Sequence, residues 1–136
     1  MEKAADNILI LSTQKIRATI IERLIKSSLN GNVNITVADP DTYFHLNNKI
    51  KSYLIILDLM GIDLPAKQII RKIKSRYKNT SIIALHMYRS SILVDPLFDF
   101  GVNGYIYYEP TKEELTNAIV SVSNGENYKP NYLAYR

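Results

Sequence analysis

Polar or aromatic side chains that could do chemistry stand at the ends of short apolar runs. Ser12 and Thr13 follow the first run, Asp58 and His86 follow two later ones, and Tyr108 closes the last. A carboxylate can bind a metal ion or accept a phosphoryl group, and an imidazole can transfer protons or bind a metal. The sequence has no cysteine, which excludes disulfides, thiolate zinc sites and a cysteine nucleophile.

His86 has several interpretations beside Asp58. It could form a histidine–carboxylate pair, half of a metal site or a pH sensor. Because no second histidine lies near it in the sequence, we favour a histidine that is hydrogen-bonded within a filled pocket. His45, the other histidine, is expected on the surface of a short helix.

Five apolar runs alternate with helical patterns and position these residues. Four of the runs are continuously apolar, as in strands buried on both faces, whereas 33–37 alternates and indicates a strand nearer the sheet edge. The alternation predicts a doubly wound α/β domain with a parallel sheet covered on both faces. In such folds the functional site lies beyond the carboxyl ends of the strands, where the polar residues named above would meet.

Two of the predicted helices carry a special feature. Pro96 interrupts the fourth helical segment, so we expect a helix that begins near Asp95 or is kinked there, and not an unbroken helix from Ser90 to Phe100. The third helical segment, 67–78, is basic along one side and apolar along the other. With a net charge of +4, its basic side is either a solvated surface or a docking surface.

Three motifs resemble the receiver domain of bacterial response regulators, most closely those that precede a LuxR-type helix-turn-helix. They are YLIILDLM at 53–60, GVNGY at 101–105, and the final helical segment with its GE ending at 125–126. The resemblance covers about 7–128 and implies a flavodoxin-like, three-layer α/β/α fold with strand order 2-1-3-4-5. We therefore predict a receiver-like domain at 1–128, followed by 129–136 as a tail or the start of a linker to an output domain.

The resemblance implies that three functional positions are retained. Asp58 stands at the phosphoacceptor position, Met60 at the position of the backbone metal ligand, and Tyr105 at that of the aromatic that moves between states in many receivers.

Four supporting positions are altered. Ser12 and Thr13 replace the family's acidic pair, His86 replaces its hydroxyl residue and Tyr108 replaces its lysine. Phosphoryl transfer to a carboxylate needs cationic groups that neutralise the developing charge, and a phenol cannot supply the charge of an ammonium group. One carboxylate, Asp58, is expected to bind Mg²⁺ only weakly.

These observations favour an atypical receiver that acts as a protein-interaction module in signal transduction, with impaired or absent Mg²⁺-dependent phosphorylation and no required cofactor. One alternative is a true phosphorelay receiver phosphorylated on Asp58 by a histidine kinase, with weak Mg²⁺ binding. A second is a DNA-associated regulator that uses the basic third helix, although nucleic acid is not a favoured partner of this chain alone.

The expected partner surface is the last strand with its flanking helices, used by a protein partner or in a homodimer.

An enzyme is not expected, because no glycine-rich phosphate loop and no nucleophile elbow is visible. The apolar run at 8–11 is too short for a signal-peptide core or a membrane span, so a cytoplasmic protein without membrane contact is expected.

Overall fold

The computed structural model describes residues 6–29, 33–45 and 54–131, which form a parallel β-sheet flanked by helices. The strands are β1 (Asp6–Leu11), β2 (Val33–Ala38), β3 (Leu54–Asp58), β4 (Ser81–His86) and β5 (Gly104–Tyr107). The helices are α1 (Lys15–Ser28), α2 (Pro40–His45), α3 (Ala66–Arg76), α4 (Ser91–Phe100) and α5 (Lys112–Ser123). The strand order is β2-β1-β3-β4-β5, and the predicted doubly wound α/β fold is confirmed.

Helices cover both faces of the sheet. Alternate residues of β3 point to opposite sides, so that Ile55 and Leu57 pack in one cluster while Leu54 and Ile56 pack in the other. The first cluster contains buried residues of α2, α3 and α4, and the second contains those of α1 and α5. All five residues of β3 are buried, as expected for the central strand of a three-layer domain.

The parallel register brings the carboxyl ends of the strands to one edge. Leu11 is paired with Leu57, Asp58 with Leu85, and His86 with Tyr107. The residues that follow these pairs therefore meet at the same end of the sheet, as the sequence predicts.

Helix α4 contradicts the prediction for Pro96. The helix is unbroken from Ser91 to Phe100, with Pro96 inside it. The Ser90 side chain caps its first turn by accepting a hydrogen bond from the backbone N–H of Ile92, at 3.1 Å. The bond that proline cannot donate would have gone to the carbonyl of Ile92, an exposed residue in the first turn of the helix. Loss of that bond near the solvent does not end the helix.

Strand β5 is one residue shorter than predicted. It ends at Tyr107, and Tyr108 adopts a φ of 56°, in the left-handed region that side-chain-bearing residues rarely occupy. The sequence pattern also predicts Leu46 and Ile50 on the apolar side of the second helix, and these two residues lie outside the described residues.

No helix within the described ranges is long and apolar enough to cross a membrane.

Candidate functional site

The Asp58 carboxylate is fully buried, and the protein itself fills its hydrogen-bonding capacity. One oxygen, Oδ2, accepts from the Ser12 hydroxyl at 2.8 Å and from Arg17 Nε at 2.9 Å. The other, Oδ1, accepts from Arg17 Nη2 at 3.1 Å and from the Met60 backbone N–H at 3.2 Å. An ionised carboxylate has about four lone-pair sites, so these four bonds use the whole carboxylate.

Arg17, on α1, provides the positive charge at this site. Its bidentate pairing with Asp58 is the geometry in which a guanidinium binds a carboxylate most specifically. Its Nη2 also donates to the Tyr108 carbonyl oxygen at 2.8 Å, and its guanidinium carbon lies 5.2 Å from the centre of the Tyr108 ring. One side chain thus connects α1, the end of β3 and the residue after β5.

Sequence reasoning missed Arg17, although a signal for it exists. The buried stripe of α1 includes Ala18, Ile21 and Ile25. Arg17 stands four residues before Ile21 and therefore lies one turn nearer the helix start on the same side. That side faces the ends of the strands, where a long cationic side chain can reach Asp58.

Tyr108 contributes both its backbone and its aromatic ring to the site around Arg17. Its N–H donates to the His86 carbonyl oxygen at 2.8 Å, and its own carbonyl accepts from Arg17. These two bonds hold the left-handed backbone at Tyr108, which for a bulky residue is a strained conformation. Tyr108 thus binds the guanidinium at the position where the resemblance implies a lysine.

His86 lies close to Asp58, and no group in the described part of the chain bonds its buried Nδ1. The hydrogen-bonded histidine favoured from the sequence is therefore not observed at this atom. Its ring packs against Tyr88 with 4.3 Å between the ring centres. Burial lowers the pKa of His86 from its ordinary value, and the negative charge of Asp58 opposes this shift. His45, by contrast, is exposed at the end of α2, as predicted.

Tyr105 is completely buried in the cluster beneath α3 and α4. Its hydroxyl lies 2.8 Å from the His86 carbonyl oxygen and 2.7 Å from that of Tyr88, and can donate to either. The aromatic position implied by the resemblance is thus held inward and bonded to the loop after β4.

The donors around Asp58 do not match the ligand set of Mg²⁺, which prefers carboxylate oxygens and water in an octahedral arrangement. Ser12 and Thr13 supply hydroxyls, and Ser12 already donates its proton to Asp58. Thr13 is exposed, and its hydroxyl lies 3.5 Å from the Met60 carbonyl oxygen. Within 6–29, 33–45 and 54–131, no group of three or more histidine, aspartate or glutamate residues is placed to hold a metal ion.

Four of the five basic residues of α3 contact groups of this chain, although most of the five are also exposed. Lys67 lies 5.7 Å from the Phe100 ring centre and Lys72 5.1 Å from that of Phe44. Lys74 donates to the Thr80 carbonyl oxygen at 2.8 Å. Arg76 donates to the carbonyl oxygen of Phe44 at 2.7 Å and so completes the end of α2. Part of this charge therefore contributes to the packing of α3 against its neighbours, while Lys67, Arg71 and Lys72 are exposed.

The strand order, the helical layers and the acidic residue at the end of β3 define the fold of the response-regulator receiver domain. No protein-family model and no curated protein matches the sequence. Solved receiver structures do match the fold, at sequence identities that establish similarity of fold alone.

The isolated receiver domain of RcsB from Salmonella enterica serovar Typhimurium matches with a TM-score of 0.79 at 20% identity, over 93% of this chain and 94% of that one. A LuxR-family two-component response regulator from Aurantimonas sp. SI85-9A1 matches with a TM-score of 0.77 at 19% identity, over 91% and 89%. A Salmonella typhimurium RcsB structure described for its DNA interaction matches with a TM-score of 0.73 at 20% identity. The match covers 94% of this chain but only 63% of that protein's length.

Proposed function

We propose that this chain is an atypical receiver domain that acts as a protein-interaction module in signal transduction, without Mg²⁺-dependent phosphorylation of Asp58. The observation that carries the proposal is the buried, bidentate pair between Arg17 and Asp58. The carboxylate that would accept a phosphoryl group is already neutralised and fully hydrogen-bonded by the protein.

The pair opposes phosphorylation in two ways. A nucleophilic carboxylate must offer a free lone pair to phosphorus, whereas both oxygens of Asp58 accept two hydrogen bonds each. The transition state must also be stabilised by cations that contact the phosphoryl oxygens. Arg17 is committed to the carboxylate and to the Tyr108 carbonyl, and Ser12 and Thr13 add no charge. No cofactor is required for the function proposed.

The proposed partner surface comprises β5 with α4 and α5. Helix α4 exposes Ile92 and Leu93, which are 65% and 50% accessible, and α5 exposes Val120 at 50%. These exposed aliphatic side chains are available for contact with a protein partner. A protein partner is therefore favoured, a second copy of the chain included, and a catalytic activity is not proposed.

DNA binding through α3 is the weaker alternative. Affinity for nucleic acid depends on lysine and arginine side chains that are available to phosphates. Lys74 donates to a carbonyl oxygen of this chain, and Lys67 and Lys72, although exposed, lie near aromatic rings of the chain, so part of the charge is shared with the protein's own packing.

The decisive experiment is a titration of the ¹⁵N-labelled protein with Mg²⁺ and then with beryllofluoride, a phosphoryl mimic, followed by amide chemical shifts. We expect no saturable shift at Asp58, His86 or Tyr105. Saturable shifts at millimolar ligand, absent in Asp58→Asn, would show a working pocket and support the phosphorelay alternative.

A second variant shows that the assay can detect a restored site. Ser12→Asp with Thr13→Asp and Arg17→Ala returns the acidic pair and removes the internal cation. We expect this triple variant to bind Mg²⁺ measurably. If its amide spectrum is that of a folded protein and it binds no better than the parent protein, the Arg17–Asp58 pair is not what closes the pocket.

A further inference from the structure

The outer edge of β5 is covered by the chain itself. The strand order leaves β5 at one border of the sheet, where unpaired backbone groups would attract other strands. Residues 127–131, which we call the C-terminal strap, lie along this border. Tyr128 N–H donates to the Asn103 carbonyl at 2.9 Å, and Tyr105 N–H donates to the Tyr128 carbonyl at 3.0 Å. The strap is thereby paired in parallel with Gly104.

Gly104 lies against both β4 and the strap. A Cβ atom built there would lie 3.1 Å from Ile83 Cγ1 on β4, which is a tight contact, and 3.5 Å from Tyr128 Cβ, which is an ordinary van der Waals distance. Tyr128 packs against the cluster beneath α1 and α5, and Pro130 is buried.

Side chains of the strap connect the two helices on either side of β5. The Tyr128 hydroxyl donates to Glu114 Oε2 on α5 at 3.3 Å. Lys129 Nζ lies 2.5 Å from Asp95 Oδ1 on α4 and 5.0 Å from the centre of the Phe98 ring. The border of β5 thus binds an extended backbone that carries an aromatic residue followed by a basic one.

The attachment is short enough to be reversible. It consists of two backbone hydrogen bonds and side-chain contacts, and its ion pair is 44% exposed at Lys129 and 55% exposed at Asp95. Exposed ion pairs contribute little to stability, and short edge segments open far more readily than central strands.

We propose that the outer edge of β5, between Asp95 of α4 and Glu114 of α5, is a docking site for an extended segment in which an aromatic residue precedes a basic one. The strap occupies this site within the molecule, and a partner protein with such a segment adds to β5 in its place. The two carboxylates supply the charge complementarity for the basic and hydroxyl groups of that segment. The inference rests on the proposed interaction function and names its surface and the chemistry of its partner.

Hydrogen exchange of the full-length ¹⁵N-labelled chain tests the strap. In Tyr128→Ala/Lys129→Glu, we expect the Tyr105 amide to exchange about tenfold faster, because its acceptor is released. The Ile56 amide, in the central strand, should not change. Lys78→Glu, at an exposed lysine beyond α3, is the control for the charge change. An equally protected Tyr105 amide in the double variant would overturn the proposal.

A charge exchange avoids larger changes in packing. Lys129→Glu alone should speed exchange at Tyr105, and adding Asp95→Lys should restore the parent rate by re-forming the pair in the opposite sense. No restoration would mean that this pair does not hold the strap.

Occupancy by a partner is tested with a synthetic peptide, GENYKPN, added to the double variant at millimolar concentration, comparable to the effective concentration of a tethered segment. We expect it to slow Tyr105 exchange and to shift the Asp95 and Glu114 amides. The peptide GENAEPN should do neither, and failure of GENYKPN would overturn the docking site. These readouts do not depend on Asp58, so the result is separate from that of the Mg²⁺ titration.

Discussion

A buried carboxylate is tolerated when its charge is paired and its lone pairs are bonded, and Asp58 meets both conditions through Arg17, Ser12 and the Met60 amide. Breaking such a pair by removing one partner is far more costly than never having formed it, because the remaining charge stays buried. Arg17 is therefore required for the stability of a fold in which Asp58 is buried and charged.

Replacing Arg17 with alanine should lower the free energy of unfolding by about 3–5 kcal/mol, because Asp58 would keep its buried charge without a partner. Urea denaturation measures the change. Arg23→Ala, at an exposed arginine of the same helix, is the matched control and should cost less than about 0.5 kcal/mol. Equal losses in the two variants would contradict the structural role of the pair.

His86 should make stability depend on mildly acidic pH. Its folded pKa lies below the ordinary value of 6.5, so the unfolded chain binds more protons in the window between the two values. The contribution is fully present above pH 6.5 and is lost as pH falls through that window.

Denaturation midpoints measured from pH 7.5 to 5, for the parent and His86→Gln, would report this loss. The variant should show a smaller decrease, since His45 is exposed and common to both proteins. Parallel curves for the two proteins would refute a role for His86 in the acid response.

The sequence located the strand-end residues but not the group that pairs with Asp58. Ser12, Asp58 and His86 follow from the rule that parallel strands end at one edge. Arg17 does not, because helical periodicity places it on the inner side of α1 but says nothing of how far its side chain reaches or which group it meets. The bond at Asp58 depends on the relative position of α1 and β3, which is a property of the packed molecule.

Among the secondary-structure elements, α4 shows that tertiary packing can maintain a helix in spite of an internal proline. Proline inside a helix removes one hydrogen bond, and its ring crowds the carbonyl four residues earlier, which kinks or ends many helices. In α4, five residues precede Pro96, a capping serine fixes the first turn, and Val94 and Leu97 are buried beneath the helix. Tertiary burial on both sides of the proline thus keeps one continuous helix, which sequence rules alone did not predict.

Pro96→Ala should stabilise the protein by about 2 kcal/mol. Alanine would restore the backbone bond to the Ile92 carbonyl and avoids a penalty of about 3 kcal/mol for proline within a helix, offset by about 1 kcal/mol for the greater freedom of the unfolded chain. Thermal and urea denaturation would measure the gain. Pro110→Ala, outside the helices, serves as a comparison in which no helical bond is gained. A loss of stability at Pro96 would indicate that its ring packing matters more than the missing bond.

Across the whole molecule, the fold class and strand order follow from the sequence because they depend on repeated patterns of burial. The attachment of the C-terminal strap does not follow, because it depends on one tyrosine and one lysine that carry no periodic signal. The strap lies on β5, α4 and α5, which are also the elements of the expected partner surface. The chain therefore covers part of the surface that the sequence predicts for a protein partner.

The strap should loosen at alkaline pH. Burial and the neighbouring charge and hydrogen bond of Glu114 raise the pKa of Tyr128 from 10.0 to about 12. The unfolded chain therefore loses its proton first, and this contribution to stability is present below pH 10 and is lost as pH rises towards 12.

The difference in unfolding free energy between the parent and Tyr128→Phe, followed from pH 8 upwards, isolates this effect. Tyr43, whose pKa is also raised by burial, is common to both proteins and cancels. The difference should decrease above pH 10, and a constant difference would show that the hydroxyl does not titrate in the strap.

The complete bonding of Asp58 changes how genetic experiments on this protein should be interpreted. In a receiver with a free acceptor, loss of function after replacing the aspartate is evidence that the residue is phosphorylated. Here the same substitution would leave the Arg17 guanidinium without its carboxylate partner and with the Tyr108 carbonyl as its remaining acceptor at this site. Loss of function in an Asp58→Ala strain would therefore indicate first that the protein has lost folding stability. Asp58→Glu, which is intended to imitate phosphorylation, would add a methylene group where the carboxylate is already fully hydrogen-bonded.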